Sequence, residues 1–460
     1  MNWKRIGNCM KRHPAGTGSL AAAVAVMMMW GAWSGYCSVR FHSTVRELER
    51  GGIPCSIAAL EARQQGGSEK QQKEFMAVCE AVSASASTEL DVRSSMAHVE
   101  LKDFPKFQAD HAETIRNADR FLEERPDFVL WRDFSVGNVW DVMLPDLNHL
   151  RTWMRMNRDR FYYALQQKEP GEAVRIFDLS ATLRRYAVRD QFLISYLVAI
   201  AVESIRQGAV FDAAFDGDIG QFDSKTLKRW ADSMPGVEAE FRTRLPGVLE
   251  TEIVTVVTVA SRVDAVLADL LGMPKPPAGV LGIIYAPVVK LDSAAAARAL
   301  KDILPVATLD YTPETILKLQ PFRDFVAARQ KIMLLAPVSN FLLPALTHPI
   351  NRASTMYARC RVVRTGLAVE LFLRKYNRLP SALDELVPEF LPEVPRSPFT
   401  GKPLQLETGK LQYWQRMEER AGEFEGYRVY AEGDPAYPPV GATRTDRRGT
   451  VLPWNRTLKK

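Results

Sequence analysis

The sequence predicts a mainly α-helical protein with an N-terminal transmembrane helix, a helical-hairpin body and a small C-terminal helix-plus-β-hairpin module. Three observations lead to this fold class. An uncharged apolar stretch lies near the N-terminus, apolar residues recur three and four positions apart over most of the chain, and after residue 376 this period gives way to prolines and short β-type segments. The apolar fraction of 47% is ample for a buried core in 460 residues.

The N-terminal apolar stretch predicts a transmembrane anchor over residues 17–38, which contain no charged residue. About 20 helical residues, rising about 1.5 Å each, cross a hydrocarbon core of about 30 Å. Trp30, Trp33 and Tyr36 follow the most apolar part, where aromatic side chains suit a membrane interface. A cleaved signal peptide is the alternative, but the length of the stretch and the lack of a small-x-small site favour an uncleaved anchor.

The charges that flank the anchor predict its orientation. Basic residues without acidic ones precede it, whereas the basic residues after it are offset by Glu47 and Glu49. Because positive charge collects on the cytoplasmic side, we expect residues 1–16 to form a cytoplasmic tail. The predicted location is therefore the inner (cytoplasmic) membrane, single-pass, with the body facing the periplasm and the lipid bilayer as a partner of the N-terminal helix.

The remaining chain divides into four predicted parts. Residues 39–74 form a juxtamembrane segment and linker, 75–350 an α-helical body, 351–433 a long helix followed by the C-terminal module, and 434–460 an irregular basic tail. Within the body, Phe192–Val202 is apolar on nearly every helical face and is expected to be central to the core.

Prolines set several predicted helix boundaries in the body. Separate helices are expected over 224–233, 236–244 and 246–271, because Pro235 and Pro246 interrupt this part of the chain. The uncharged stretch 332–347 is too short for a full span and contains two prolines, so it is interpreted as a buried helix rather than a second membrane crossing.

The proline-rich segment 376–404 resembles a C-terminal signature of uncharacterised membrane-anchored proteins of planctomycete and verrucomicrobial type. Its core is Tyr-Asn-Arg-Leu-Pro-Ser-Ala-Leu-Asp-Glu-Leu from Tyr376, with Pro-Arg-Ser-Pro-Phe-Thr-Gly-Lys-Pro from Pro395. Those proteins are also similar to this chain in the N-terminal anchor and in the Glu-Leu-x-x-x-Gly-x-Pro pattern at Glu47–Pro54. The resemblance implies a membrane-anchored protein whose C-terminal module closes the fold.

The same signature is similar to the C-terminal part of type II secretion major pseudopilins, in which a loop after the strands holds calcium. Here Ser397 stands in place of the aspartate, and Glu432 with Asp434 gives too few oxygen ligands for the six or more that calcium takes. The prepilin processing motif is also missing. We therefore expect no metal or other cofactor in this module.

No stretch carries a specific catalytic, nucleotide-binding or metal-binding motif, so no catalytic, cofactor-binding or metal-ligating residue is assigned. The six histidines are scattered, and none of the five cysteines lies at zinc-site spacing from another. Cys55 and Cys79 could form a disulfide in an oxidising compartment, although two free thiols are the simpler interpretation.

Two groups of residues are candidates for a catalytic or binding site. Asp178, Arg185, Asp190 and Glu203 lie on the most amphipathic helices and could approach one another, or they could form ordinary ion pairs at the edge of the core. The second group could line a glycan or peptide groove or belong to the core, and it comprises Trp131, Phe134, Trp140, Trp153, Phe161, Tyr162 and Tyr163, with Asp133 and Asp141.

The function expected from the sequence is that of a non-enzymatic envelope scaffold or assembly factor with protein partners in the envelope. The alternatives are an extracytoplasmic enzyme that acts on cell-wall or glycan material and an accessory of a type II secretion or pilus-like system. The net charge of +6 arises from 60 basic and 54 acidic residues spread along the chain. That distribution disfavours nucleic-acid binding, which concentrates cations on one face.

Overall fold

The computed structural model describes residues 14–64, 66–89, 104–136, 139, 142–261, 263, 280–415, 420–433 and 450–458. The described chain is mainly helical, begins with a long apolar helix and ends in a small antiparallel sheet of order β1-β2-β3. The predicted fold class is therefore confirmed.

The helices and strands follow one another in this order along the chain. The helices are α1 Pro14–Arg50, α2 Ile57–Arg63, α3 Glu69–Glu89, α4 Phe104–Asp110, α5 Ala112–Glu124, α6 Asp146–Gln166, α7 Pro170–Arg189, α8 Leu193–Asp216, α9 Ser224–Val259, α10 Val280–Ile303, α11 Pro313–Gln330, α12 Pro337–Leu342 and α13 Pro349–Tyr376. The strands are β1 Gln405–Gln415, β2 Arg420–Glu432 and β3 Thr450–Thr457.

Helix α8 lies at the centre of the body, as its apolar sequence predicts. It contacts α6, α7, α9, α13 and β3. Tyr196, Ala199 and Val202 are fully buried, and the Tyr196 hydroxyl donates a hydrogen bond of 3.2 Å to the carbonyl of Phe241 on α9. The most extensive helix pair is α9 with α13, so α8, α9 and α13 form the frame on which the other helices pack.

Helix α9 runs without a break through the two prolines that were expected to divide it. Pro235 and Pro246 both lie inside Ser224–Val259, and the predicted boundaries at 233–236 and 244–246 are wrong. An internal proline costs a helix about 3 kcal/mol through a lost hydrogen bond and a steric clash. Buried side chains flank each proline on α9, among them Met234, Val237 and Leu245, and their packing offsets that cost.

The stretch 332–347 does not form the single buried helix that its composition predicts. It consists of a 3₁₀ turn at Met333–Leu335, the short helix α12 and a second 3₁₀ turn at Leu343–Thr347. Proline at 337 begins α12 and proline at 344 opens the following turn, since neither can continue a preceding hydrogen-bonded helix. Part of this stretch is exposed.

The C-terminal module contains one strand more than the predicted hairpin. Strands β1 and β2 pair antiparallel, as expected from residues 410–414 and 427–430, but β3 adds to β2 with Trp454 opposite Val429. The predicted irregular tail over 434–460 is therefore wrong for 450–457, while 434–449 lie outside the described residues. A proline within β3 is tolerated because β3 is an edge strand with an irregular register beside β2.

The sheet is attached to the helical body through Trp454. This side chain is fully buried, and a Cβ atom at Gly366 of α13 would overlap its ring, so the glycine permits the close approach. The Trp454 indole N–H donates to the Tyr427 hydroxyl at 3.2 Å, and that hydroxyl donates to Glu370 at 2.6 Å. The module thus closes against α13 and α8.

Candidate functional site: the anchor helix and its contact with the body

The first half of α1 presents apolar side chains that the protein does not cover. Val26, Met27, Met28 and Met29 are 59–65% exposed, and Val24 is 40% exposed. Side chains of this kind in water carry a large hydrophobic penalty, and a contiguous exposed apolar surface marks a membrane or protein contact. By length and composition, the segment Ala22–Arg50 of α1 is long and apolar enough to cross a membrane, a criterion that signal sequences also meet.

A second helix, α8, also meets the length and composition of a membrane span. More than half of its apolar window is buried within the body. Since its side chains are already removed from water by neighbouring helices, α8 is the core helix of the body.

The second half of α1 is docked on the body. Cys37, Phe41, Thr44 and Leu48 are buried and follow a spacing of four, three and four residues, which places them on one face of the helix. This face contacts α10. Residues 17–38, the predicted anchor, thus belong to the same unbroken helix as the residues that dock on the body.

Polar contacts fix the register between α1 and α10. Lys290 Nζ donates to Ser38 Oγ at 3.1 Å, and farther along both helices Lys301 Nζ lies 2.7 Å from the carboxylate of Glu47. The hydrogen bond and charge of Lys301 lower the pKa of the Glu47 carboxyl group. The two helices run parallel, because higher residue numbers on α10 face higher numbers on α1.

The four charged residues that were expected to approach one another each have a separate partner. Asp178 accepts from Arg229 at 2.7 Å, Arg185 donates to the Thr182 hydroxyl at 2.7 Å, Asp190 pairs with Arg132 at 2.6 Å and Glu203 pairs with Arg206 at 2.6 Å. The interpretation as ion pairs is confirmed for the three carboxylates, and no hydrogen bond or ion pair joins any two of the four residues.

Arg132, which sequence reasoning missed, is the centre of a buried network. Its guanidinium makes two hydrogen bonds with Asp146, of 2.5 and 3.0 Å, and two with Asp190, of 3.0 and 2.6 Å. Asp190 also accepts from the Ser195 hydroxyl at 2.7 Å. The two carboxylates raise the pKa of Arg132 despite its burial. The network joins the loop before α6 to the junction of α7 and α8.

Glu203 is the centre of a second buried network, within the helical core. Burial disfavours its charge, but Arg206 outweighs that effect and the pKa of Glu203 is lowered. The carboxylate accepts from Arg206 at 2.6 and 2.8 Å and from Gln207 at 2.8 Å. Carboxylates held in this way by guanidinium groups stay ionised and are poor proton donors or acceptors.

The aromatic set mostly belongs to the core. Trp153 and Phe161 are fully buried, Phe134 is 5% exposed, and Phe75 stacks on Trp153 at a centroid distance of 6.4 Å. Trp131, Tyr162 and Tyr163 are half-buried, Asp133 is exposed, and Trp140 and Asp141 lie outside the described residues. The core interpretation is confirmed for Phe134, Trp153 and Phe161.

One phenol–carboxylate pair in this region has altered acidity. The Tyr162 hydroxyl donates to Asp212, and burial raises the pKa of both groups. Nearby, burial also raises the pKa of Asp159, whose carboxylate accepts from Arg158 at 2.8 Å. Two carboxyl groups with raised pKa values are a pattern found at acid–base sites, although structural ion pairs give it too.

Cys55 and Cys79 are both buried free thiols, so the disulfide left open by their spacing is not formed. In the C-terminal module, the Ser397 hydroxyl donates to the carbonyl of Glu432 at 2.6 Å, and the Glu432 carboxylate lies 3.2 Å from Lys402. Asp434 lies outside the described residues. Among the residues that are described, no three His, Cys, Asp or Glu side chains are grouped as metal ligands.

Glu252 on α9 has a carboxyl group whose pKa burial raises to about 7, although the Leu193 amide at the start of α8 favours the carboxylate. Below about pH 4.5, its ordinary pKa, the group is protonated in both folded and unfolded chains and costs nothing. As the pH rises from about 4.5 to about 7, the carboxyl group ionises in the unfolded chain but stays protonated in the folded one, so stability falls by roughly 3 kcal/mol, and the whole of this loss is present above pH 7.

Replacing Glu252 by glutamine is therefore expected to raise the melting temperature at pH 8 and to change it little at pH 4.5. Thermal unfolding of the detergent-solubilised chain at both pH values measures this. Glu250→Gln is the matched control: Glu250 is paired with Arg63 at 2.5 Å, so its loss should lower stability by at most about 1 kcal/mol. Equal effects of Glu252→Gln at the two pH values would contradict the assignment.

No family model, curated protein or solved structure matches this chain. The resemblance to planctomycete-type membrane proteins and to pseudopilins therefore stays a prediction based on residues 376–404.

Proposed function

We propose that this protein is a single-pass protein of the inner (cytoplasmic) membrane whose helical body faces the periplasm and serves as a non-enzymatic envelope scaffold or assembly factor. The observation that carries the proposal is α1: its first half is apolar and uncovered, and its second half is docked on α10. A rigid anchor of this kind holds a body at a fixed distance and rotation from the bilayer.

The scaffold role is supported by the pairing of the buried acidic side chains with arginines. Asp146, Asp190 and Glu203 are each bound by guanidinium groups within the core. These carboxylates stabilise the packing of the helices and are not free to act on a substrate. This arrangement suits a body that binds other proteins rather than one that catalyses a reaction. The step from helical body to scaffold is an inference from architecture.

The proposal predicts that the full chain is recovered from membranes together with envelope proteins. Affinity capture after short-range cross-linking, with the anchor intact, should enrich the same periplasmic or membrane proteins in repeated preparations. A fused C-terminal alkaline phosphatase, which is active only outside the cytoplasm, tests the orientation in the same strain. Reproducible recovery of the chain alone would contradict the scaffold role, and an inactive fusion would contradict the orientation.

A second candidate function is an extracytoplasmic enzyme that acts on cell-wall or glycan material. The observation that favours it is the group of Asp159, Tyr162 and Asp212, in which burial raises the pKa of all three side chains. A carboxyl group whose pKa is raised stays protonated at higher pH and can donate a proton to a leaving group. Release of soluble fragments from dye-labelled cell walls by the wild-type chain, and its loss in Asp212→Asn, would favour the enzyme over the scaffold.

The third candidate, an accessory of a type II secretion or pilus-like system, is favoured by the order of elements at the C-terminus. A long helix, α13, leads through a proline-rich segment into antiparallel strands, which is the order implied by the pseudopilin resemblance. Capture of secretion-system components in the cross-linking experiment would select this candidate.

A further inference from the structure

One end of the body carries exposed apolar side chains from two separate segments of the chain. Ile283 and Ile284 on α10 are 60% and 53% exposed, and Ile332, Leu334 and Leu335, after α11, are 43%, 63% and 61% exposed. We call these five residues the apolar tip. The two segments are joined, because the Tyr285 hydroxyl donates to the carbonyl of Leu334.

The register between α1 and α10 fixes the level of the apolar tip relative to the anchor. Lys290 contacts Ser38, and Lys301 contacts Glu47, so residues on α10 face residues about 252–254 positions earlier on the parallel helix α1. Ile283 and Ile284 precede Lys290 by two helical turns, or about 10 Å. They therefore lie at the level of Gly31–Trp33, within the predicted membrane span.

The aromatic side chains of α1 mark the same level independently. Trp33 and Tyr36 are 44% and 49% exposed and stack at a centroid distance of 5.9 Å. Tryptophan and tyrosine in this position on a spanning helix define the boundary between hydrocarbon and headgroups. A surface at the depth of Gly31–Trp33 thus meets acyl chains rather than water.

Basic side chains lie just above the apolar tip. Lys290 is level with Ser38, and Arg329 lies 3.7 Å from Asp292, which is two residues beyond Lys290 on α10. Asp292 is itself buried and accepts from the Ser339 hydroxyl at 2.6 Å. Lys331 is exposed and directly precedes the second apolar segment. Cations at this height match the layer of phospholipid phosphates.

We propose that the apolar tip is inserted into the outer leaflet of the membrane that α1 spans, with Lys290, Arg329 and Lys331 at the level of anionic phospholipid headgroups. This inference rests on the proposed anchoring and adds a second, monotopic membrane contact to it. The body then contacts the bilayer at two places and cannot pivot freely about the anchor. Its surfaces are presented to partners at a defined angle.

The test uses the full chain in vesicles of phosphatidylglycerol and phosphatidylcholine, with Cys9 replaced by serine and a single cysteine introduced at Leu335. An environment-sensitive nitrobenzoxadiazole label at this position should emit at shorter wavelength than in water. Shallow nitroxide-labelled lipids should quench it at least twofold, and vesicles without anionic lipid should give weaker quenching. The matched control is Leu317→Cys on α11, a leucine that is 71% exposed and lies 13 residues before the end of that helix.

The outcomes separate this inference from the proposal on which it rests. If the chain resists carbonate extraction while the labels at 335 and 317 behave alike, the anchor stands and the apolar tip is overturned. If the chain is extracted by carbonate, the anchoring itself fails. If the blue shift of the label at 335 depends on protein concentration and the label is not quenched by nitroxide lipid, the apolar tip contacts a second copy of the chain, and the proposal is overturned. If quenching is equal in vesicles with and without anionic lipid, the contact of the basic residues with anionic headgroups is overturned.

Discussion

Replacement of Arg132 by alanine is expected to lower the free energy of unfolding by about 3–5 kcal/mol, because it leaves two buried carboxylates without a counter-charge. Asp146 and Asp190 are 0% and 5% exposed, and Arg132 supplies two hydrogen bonds to each of them. Chemical denaturation of the detergent-solubilised chain, followed by circular dichroism, measures the loss.

Two controls distinguish the buried charges from the mere loss of a side chain. The triple variant Arg132→Met, Asp146→Asn, Asp190→Asn removes all the charges together and should recover much of the stability. Arg189→Ala breaks an ion pair of 3.0 Å in which Asp127 is 83% exposed, and it should cost less than about 1 kcal/mol. A single Arg132→Ala variant as stable as Arg189→Ala would refute the network's role.

The sequence predicts those elements whose signal is local. The anchor follows from an uncharged stretch, α8 from residues that are apolar on every face, and α13 from an unbroken helical period, and all three are observed as helices. The turn at Gly401, which has φ +71°, also follows from residue type, because glycine alone enters that region without strain.

Features that depend on packing between distant parts of the chain could not be predicted from the sequence. The prolines inside α9 are tolerated because one face of the helix is buried on either side of each proline. Strand β3 forms through pairing with β2 and through the space that Gly366 leaves for Trp454. The segment 434–460, which contains β3, is rich in Pro, Gly, Thr and Arg, and this composition does not predict a strand.

The same limit applies to the candidate site. An apolar stretch predicts from local sequence that α1 enters a membrane. The docking of its second half on α10 joins residues some 250 positions apart, as Ser38 and Lys290 illustrate, and could not be predicted in this way. The sequence around Arg132 gave one usable signal, since Arg132 and Asp133 interrupt the apolar residues of the run Phe128-Val-Leu-Trp-Arg-Asp-Phe134. A charged residue inside such a run has to be exposed or paired, and here it is paired.

Two lysines in the middle of the anchor, Val24→Lys with Met28→Lys, are expected to release the chain from the membrane. Each lysine at the centre of a spanning helix costs about 2.5–3.5 kcal/mol, and the pair lies one helical turn apart on one face. Both side chains are exposed and uncovered by the body, so the substitutions leave the fold intact. The measurement is the fraction of chain that stays with membranes after carbonate extraction, which should fall from nearly all to a small part.

Charge near the end of the anchor gives the matched control. Val39→Lys places a cation one residue beyond the predicted span, at a side chain that is 69% exposed, where a lysine reaches the headgroups without cost. It should remain fully membrane-bound, as should Val24→Ala with Met28→Ala. Retention of the double-lysine variant would mean that a contact other than burial of α1 in lipid holds this chain at the membrane. Its release together with an unchanged circular dichroism spectrum would establish that the first half of α1 lies in the hydrocarbon core.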